Sequence, residues 1–253
     1  MKYGYYFDFI NTCSYLEYEM ANHMMSHKGI SIHAASLPTR KKISSDIFDF
    51  ENRFAGIGIN SLTILKNILD EKGGSSRSTQ ILMHARTREV AEGTGAIHVV
   101  PAGSYQPQEI SYDKTRSQEK FDAHNRDLTN TILREFEEEI WGAREFDELY
   151  NANLVTNYLK KDKEVYYLGL GIEPFNTKIE VLSVMVIDYT ENTETDLQAF
   201  KNSIVKQYEG TIEMHKLTEE IILQFEKNPR ATPACQQIMK IIRTLMQDTV
   251  YPK

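Results

Sequence analysis

The chain has 253 residues, of which 41% are hydrophobic and 26% charged, and its formal net charge is -7 at pH 7. These values are those of a globular protein, and the acidic balance argues against non-specific binding to nucleic acid or an anionic membrane. The two cysteines, Cys13 and Cys235, have the spacing of neither a metal site nor a disulfide framework. Together with the lack of an apolar leader segment, they favour a cytoplasmic protein. The apolar runs are too short to span a bilayer.

Residues 1–52 are expected to form an N-terminal elaboration of the main fold. The aromatic-rich residues 3–10 predict a strand, and a helix is predicted to follow as far as Ser26. Residues 29–50, which include a basic cluster at 39–42, predict a loop or an edge segment.

Residues 53–190 contain most of the predicted strands, at 54–65, 80–86, 96–100, 154–159, 165–171 and 179–188. These segments are rich in Val, Ile and Tyr or end at turn-forming residues. A long helix is predicted from about residue 118 to residue 140 and ends before Gly142. A further helical turn is predicted at 144–150. The glycine pairs at 56 and 58 and at 93 and 95 do not continue into a dinucleotide-binding fingerprint.

Residues 191–253 predict a C-terminal helical elaboration. Helices are expected over 193–208 and 217–225, and Thr232 followed by Pro233 opens a last helix. Because no stretch has the composition of a linker, we expect a single domain over 1–253. The alternation of strands and helices predicts the α/β (α+β) class.

The most informative stretch is acidic and occupies residues 134–142. Glu135, Glu138 and Glu139 lie at positions i, i+3 and i+4, so they share one face of the predicted helix. Like charges at this spacing cost a few tenths of a kcal/mol per pair, roughly, and a divalent cation would turn the repulsion into coordination. The opposite face is apolar and can pack on a core. The alternative interpretation is an acidic face exposed to solvent.

The stretch resembles the Nudix hydrolase family. The resemblance is carried by the Arg-Glu-apolar-x-Glu-Glu pattern that begins at Arg134, by Pro101-x-Gly103 before it, and by a strand that ends at Arg86. It covers the order of elements over residues 54–188. It implies a Nudix-like α/β/α sandwich with a mixed β-sheet, here with extra N- and C-terminal elements.

The resemblance also implies roles for individual residues. Gly103 would open the motif, and Arg134 would orient a neighbouring glutamate. The catalytic set would be Arg134, Glu135, Glu138 and Glu139, of which the three glutamates would bind Mg²⁺ or Mn²⁺. Arg86, Gly103 and Tyr105 are expected at the substrate, Tyr105 as a residue that stacks on a base. Proton transfer would fall to a glutamate either in the motif or on a later loop, where Glu173, Glu191 and Glu213 are candidates.

The implied activity is metal-dependent hydrolysis of a diphosphate bond in a nucleoside diphosphate linked to another group, such as a nucleotide sugar or a dinucleotide. The resemblance further suggests a homodimer. The interval from Gly103 to Arg134 is longer than in the family motif, and Trp141 stands where its closing glycine is expected. These departures leave an alternative: a weakly active or inactive Nudix-fold module that binds a nucleotide or a protein partner.

Two histidines in predicted strands, His84 and His98, are interpreted as packed or half-exposed residues rather than ligands. Trp141 could stack on a base or close the core, and we expect the core, because aromatic side chains carry a large apolar area.

Overall fold

The computed structural model describes residues 6–26, 37–43, 48–49, 51, 53–87, 95–105, 127–142, 163–192, 195–205 and 210–250. The predicted strand at 154–159 and the predicted helical turn at 144–150 lie outside the described residues, as does the first part of the helix predicted from residue 118. Two compact units are distinguished, residues 1–58 with 170–180 and residues 59–169 with 181–253. Each is described by itself, and the single domain over 1–253 stays a prediction.

The first unit begins with helices. Helix α1 (Tyr6–Phe9) continues through a π-helical turn (Ile10–Ser14) into α2 (Tyr15–Ser26). The strand predicted over 3–10 is therefore wrong where the structure describes it. Aromatic content favoured a strand, but the buried residues Cys13, Leu16 and Met20 recur with a helical period.

A short helix, α3 (Pro38–Ile43), replaces part of the loop or edge segment predicted over 29–50. Proline occupies its first position, where a missing N–H is tolerated. The carboxylate of Glu19 on α2 accepts hydrogen bonds from the backbone N–H groups of Thr39 (2.8 Å) and Arg40 (3.0 Å). The first N–H groups of a helix have no partner within the helix. Here two of them bond to a side chain about twenty residues away in the chain, and the local sequence does not reveal this contact.

Over the described residues the sheet has seven strands, in the order β3-β2-β1-β6-β5, with β4 paired to β1 and β7 paired to β2. The strands are β1 (Ile57–Leu69), β2 (Arg77–Arg86), β3 (Ile97–Val99), β4 (Ala102–Ser104), β5 (Lys163–Ile172), β6 (Ile179–Asp188) and β7 (Gly210–Lys216). Five of them were predicted, β6 with the bounds that the structure shows and the other four with shifted ends. Strands β4 and β7 were not predicted, because one is very short and the other alternates polar residues with few β-branched ones.

The sheet is mixed, as predicted. Strands β1 and β2 are antiparallel, with Ile64 opposite Ile81. Strands β1 and β6 run in the same direction: the N–H of Ile179 donates to Gly56 O (2.9 Å), and further along both strands the N–H of Tyr189 donates to Lys66 O (2.8 Å).

Strand β2 is the centre of the second unit. One of its edges pairs with β7 along Gln80–Arg86. The other edge pairs first with β1 and then with β3, where His84 lies opposite His98. Residues that alternate along β2 therefore point to two different layers of the protein.

Helices cover both faces of this part of the sheet. Ile81 and Met83 pack with α6 (Glu219–Glu226) and α7 (Pro233–Val250) in one apolar cluster. His84 points to the other face, which is covered by α4 (Leu128–Trp141). The expected α/β/α layering is confirmed for this unit. No helix among the described residues is long and apolar enough to cross a membrane.

One more helix among the described residues, α5 (Leu197–Ser203), lies between β6 and β7 in the chain. It is shorter than the helix predicted over 193–208, because it begins after the N-cap Asp196, whose carboxylate accepts from the N–H of Ala199 (2.6 Å). The last helix begins at Pro233, as predicted.

Candidate functional site

Helix α4 carries the acidic stretch, and local signals define its ends. Asp127 has an extended backbone and its side chain accepts from the N–H of Thr129 (2.8 Å), so the helix begins at Leu128. The part of the helix predicted from about residue 118 to residue 126 lies outside the described residues. Gly142 adopts the left-handed conformation (φ 67°) that commonly ends a helix, which confirms the predicted end.

The apolar side of α4 docks on the core. Ile132, Phe136 and Ile140 are fully buried, as their spacing predicts. Trp141 contacts Phe136 edge to face, with ring centroids 5.2 Å apart. Full burial of each aliphatic side chain contributes about 1.5–3 kcal/mol, so the core holds this helix in a fixed rotation. The three glutamates on the opposite side of the helix therefore point in one fixed direction.

Arg134 links two of the glutamates on that face. One Nη donates to Glu135 Oε1 at 2.7 Å, and Nε lies 3.7 Å from Glu138 Oε1. Only 6% of Arg134 is exposed. Because the guanidinium is planar and always charged, it fixes both carboxylates at once.

Strand β4 lies against two glutamates of the acidic face, Glu139 and Glu135. The N–H of Ala102 donates to Glu139 Oε2 at 3.2 Å. A Cβ atom on Gly103 would collide with the carboxylate of Glu135. Glycine is needed here by close approach, since its φ does not lie in the left-handed region. Helix α4 and strand β4 therefore contact each other through the side chains of Glu139 and Glu135.

Two histidines lie beside Glu139 on the helix-facing side of the sheet. His84 Nδ1 is 3.6 Å from Glu139 Oε1, and the rings of His84 and His98 are 4.7 Å apart. Both histidines are buried, at 1% and 5% exposure. One ligand atom from each of the three residues lies within 4.8 Å of the others.

Burial has the largest effect on the pKa values of His98 and Glu139. Burial, with smaller contributions from the neighbouring His84 and Arg86, lowers the pKa of His98 to about 3. Burial also raises the pKa of Glu139, and Glu135 acts in the same direction, whereas His84 and the N–H of Ala102 oppose the change. The site therefore contains a neutral imidazole and a carboxylate that lacks solvent to stabilise its charge.

The structure brings Arg134, Glu135, Glu138, Glu139 and Gly103 together. Arg86 ends β2 on the face that also carries His84, since the two residues are separated by one position. Tyr105 directly follows β4. The catalytic, metal-binding and substrate-binding roles of these residues stay predictions.

Sequence reasoning missed three partners of the glutamates: His84, His98 and the N–H of Ala102. The histidines had been interpreted as ordinary strand residues. A usable signal existed for His84, which lies two positions before Arg86 and therefore on the same strand face. His98 joins it only through the pairing of β2 with β3, which no local pattern reveals.

The carboxylates of Glu137 and Glu213 have surroundings different from those of Glu135, Glu138 and Glu139. Glu137 is 4% exposed and lies near Lys163. Burial lowers the pKa of Lys163, and the charge of Glu137 partly opposes this change. Glu213 lies opposite Met83 in the β2–β7 pairing, so it points to the sheet face away from His84. Glu213 is consequently poorly placed to serve as a base beside Glu139.

The donors on the acidic face suit a divalent ion. Glu135, Glu138 and Glu139 retain side-chain exposures of only 14%, 22% and 13%. Arg134 supplies one positive charge against three negative ones. Hard ions such as Mg²⁺ take carboxylate oxygens, so the residues fit such an ion.

No protein-family model matches the chain, and no curated protein matches it. Similar solved structures include a mutT/nudix family protein from Listeria innocua, 15% identical, with a TM-score of 0.40. That alignment covers 78% of this chain and 99% of the other. A NUDIX hydrolase from Alicyclobacillus acidocaldarius is 11% identical, with a TM-score of 0.42 over 76% of this chain and 92% of the other. Both proteins carry the name of the family that the acidic stretch of this chain resembles.

Proposed function

We propose that the chain hydrolyses a diphosphate bond in a nucleoside diphosphate linked to another group, with the help of Mg²⁺ or Mn²⁺. Nucleotide sugars and dinucleotides are the substrate classes. The observation that carries the proposal is the half-buried face of Glu135, Glu138 and Glu139, held in place by Arg134 and by strand β4.

The burial of these glutamates argues against an acidic face that is simply solvated. Exposures of 13–22% are low for carboxylates on a helix surface. Like charges kept this close together without water raise the free energy of the folded protein. A bound cation would remove the repulsion.

Each residue of the site has a distinct proposed role. Glu135, Glu138 and Glu139 would hold the ion, and Arg134 would keep Glu135 and Glu138 in their binding rotamers. When bound, the ion neutralises charge on the diphosphate oxygens and lowers the pKa of a water molecule. Arg86 is proposed to contact phosphate oxygens, and Tyr105 to stack on the base.

The test is product analysis with the full chain on a panel of nucleotide sugars and dinucleotides, with and without Mg²⁺. We expect release of a nucleoside monophosphate that requires the ion. Glu138→Gln should lower the rate by about 100-fold or more, because it removes a charged ligand where charge develops. Glu220→Gln, on the exposed first turn of α6, is the matched control and should keep full activity.

Turnover that is equal without a divalent ion, or full activity in Glu138→Gln, would contradict the proposal. So would a complete lack of turnover across the panel. The resemblance also leads us to propose a homodimer, and the cysteine usage a cytoplasmic location. Light scattering of the purified chain tests the dimer.

A further inference from the structure

The buried pair His84 and His98 is a polar feature that the proposed hydrolysis does not use. The two residues face each other across β2 and β3, and both side chains are almost completely excluded from solvent. Among the described residues, Nε2 of each ring has no hydrogen-bond partner. Buried polar atoms are usually satisfied, so two unsatisfied nitrogens on neighbouring rings need an explanation.

The hydrogen bond of His98 defines which ring nitrogen is available. His98 Nδ1 lies 2.8 Å from the carbonyl oxygen of Val99, and a carbonyl can only accept. Nδ1 therefore carries the proton, and Nε2 presents a lone pair. Histidines that bind metals commonly donate their other N–H to a backbone carbonyl in this way.

The spacing between His84 and Glu139 suits a shared ion. His84 Nδ1 and Glu139 Oε1 are 3.6 Å apart, which is too long for a hydrogen bond. Two ligand atoms each about 2.1 Å from one tetrahedral ion are separated by about 3.4 Å. The other oxygen of Glu139 is engaged by the N–H of Ala102. The carboxylate is thereby turned so that Oε1 faces the histidine.

We propose that His84, His98 and Glu139 bind a divalent transition-metal ion of the Zn²⁺ class. Two imidazole nitrogens and one carboxylate oxygen favour such an ion over Mg²⁺, which prefers oxygen ligands. This site adjoins the acidic face and shares Glu139 with it. Glu135 and Glu138 belong only to the ion proposed for hydrolysis.

The site can be tested separately from the proposed hydrolysis, because ion binding alone is measured. The full chain, stripped of metal with a chelator, is titrated with Co²⁺ in excess Mg²⁺, and the visible absorption of bound Co²⁺ is followed. We expect one Co²⁺ per chain, displaced by Zn²⁺. His84→Gln and His98→Gln should each weaken binding by about 100-fold or more, since even second-shell changes cost 10–100-fold.

The chain provides a matched control in a second His–Glu pair. His215 Nε2 lies 3.2 Å from Glu213 Oε2, partly exposed, on the other face of the sheet. His215→Gln should leave Co²⁺ affinity and spectrum unchanged. Glu138→Gln should retain Co²⁺ binding even where it abolishes hydrolysis, so failure of one proposal is distinguishable from failure of the other.

Unchanged Co²⁺ affinity in a folded His98→Gln protein would overturn the inference. If both histidine variants fail to fold, zinc-edge X-ray absorption of the wild-type protein decides. Scattering from two imidazole rings per zinc supports the site, and fewer than two rings rules it out.

Discussion

The carboxylate of Glu135 occupies the space that a Cβ atom on Gly103 would need. Even the farther carboxylate oxygen, Oε1, would lie only 2.9 Å from such an atom. This contact joins the acidic helix to strand β4 across a segment of more than twenty residues that separates them in the chain. It makes the position of Glu135 sensitive to a single methyl group.

Gly103→Ala should therefore displace Glu135 while leaving the fold intact. Overpacking of this kind costs about 1–3 kcal/mol in the free energy of unfolding. Misplacement of a functional group by about 1 Å costs up to about 100-fold in rate, and we expect a loss of 10- to 100-fold. Steady-state kinetics and urea unfolding measure the two effects. Gly74→Ala, in the turn between β1 and β2, is the control and should keep full activity. If Gly103→Ala is as active as the wild type, the prediction is wrong.

Arg134→Met should destabilise the protein strongly. Its guanidinium is buried between Glu135 and Glu138, and removing one partner of a buried ion pair typically costs about 3–5 kcal/mol. Urea unfolding measures the loss, and added Mg²⁺ should recover part of it if the ion takes over the neutralisation. Arg134→Lys should recover stability only in part, because the bidentate fork is absent.

Arg243→Met provides the control for Arg134. Arg243 also pairs with a glutamate on a helix, with Nε 2.6 Å from Glu226 Oε2, but this pair lies away from the acidic face. We expect a smaller loss of stability and no change in activity. A loss as large as that of Arg134→Met would mean that the effect is general to Arg–Glu pairs of this chain.

The thiol of Cys235 should be unreactive in the folded protein. It is fully buried in the apolar cluster of α6 and α7, and burial raises its pKa to about 12, against about 8.5 for a free thiol. Because the folded state keeps the proton that the unfolded state loses, stability should fall as pH rises above about 9. A disulfide reagent in a Cys13→Ser background measures the reaction, which should begin only on unfolding. Fast labelling of the native protein would show that the thiol is accessible.

Asp188 provides a pH-dependent contribution to stability. Its hydrogen bond to Lys66 (2.8 Å), together with those to Thr190, lowers its pKa to about 2, against about 3.9 when unfolded. The stabilisation is complete above about pH 4 and is lost as pH falls toward 2. Since both side chains are more than a third exposed, Asp188→Asn should lower Tm by only about 1–3 °C at pH 7.

Thermal unfolding at pH 7 and at acid pH checks this prediction. The difference between Asp188→Asn and wild type should shrink on acidification. Glu191→Gln, an exposed neighbour, controls for the loss of a surface charge. A difference that grows toward low pH would contradict the assignment.

Several elements were predictable because their signals are local. Pro233 opens the last helix, Gly142 ends the acidic one, and the β-branched residues of β6 mark a strand. The N-terminal strand was predicted wrongly, since aromatic content suits both a strand and the partly buried helix that forms. Strand β7 was missed, because its polar residues become a strand only by pairing with β2.

The sequence by itself determined that three glutamates share one helix face with an apolar back, since helical periodicity requires only the order of residues. Tertiary structure decided what that face meets. The pairing of β2 with β3 brings His98 to His84, and the docking of β4 places Ala102 and Gly103 against Glu139 and Glu135. These contacts join residues far apart in the chain, and their geometry depends on packing and strand register, which no local pattern encodes.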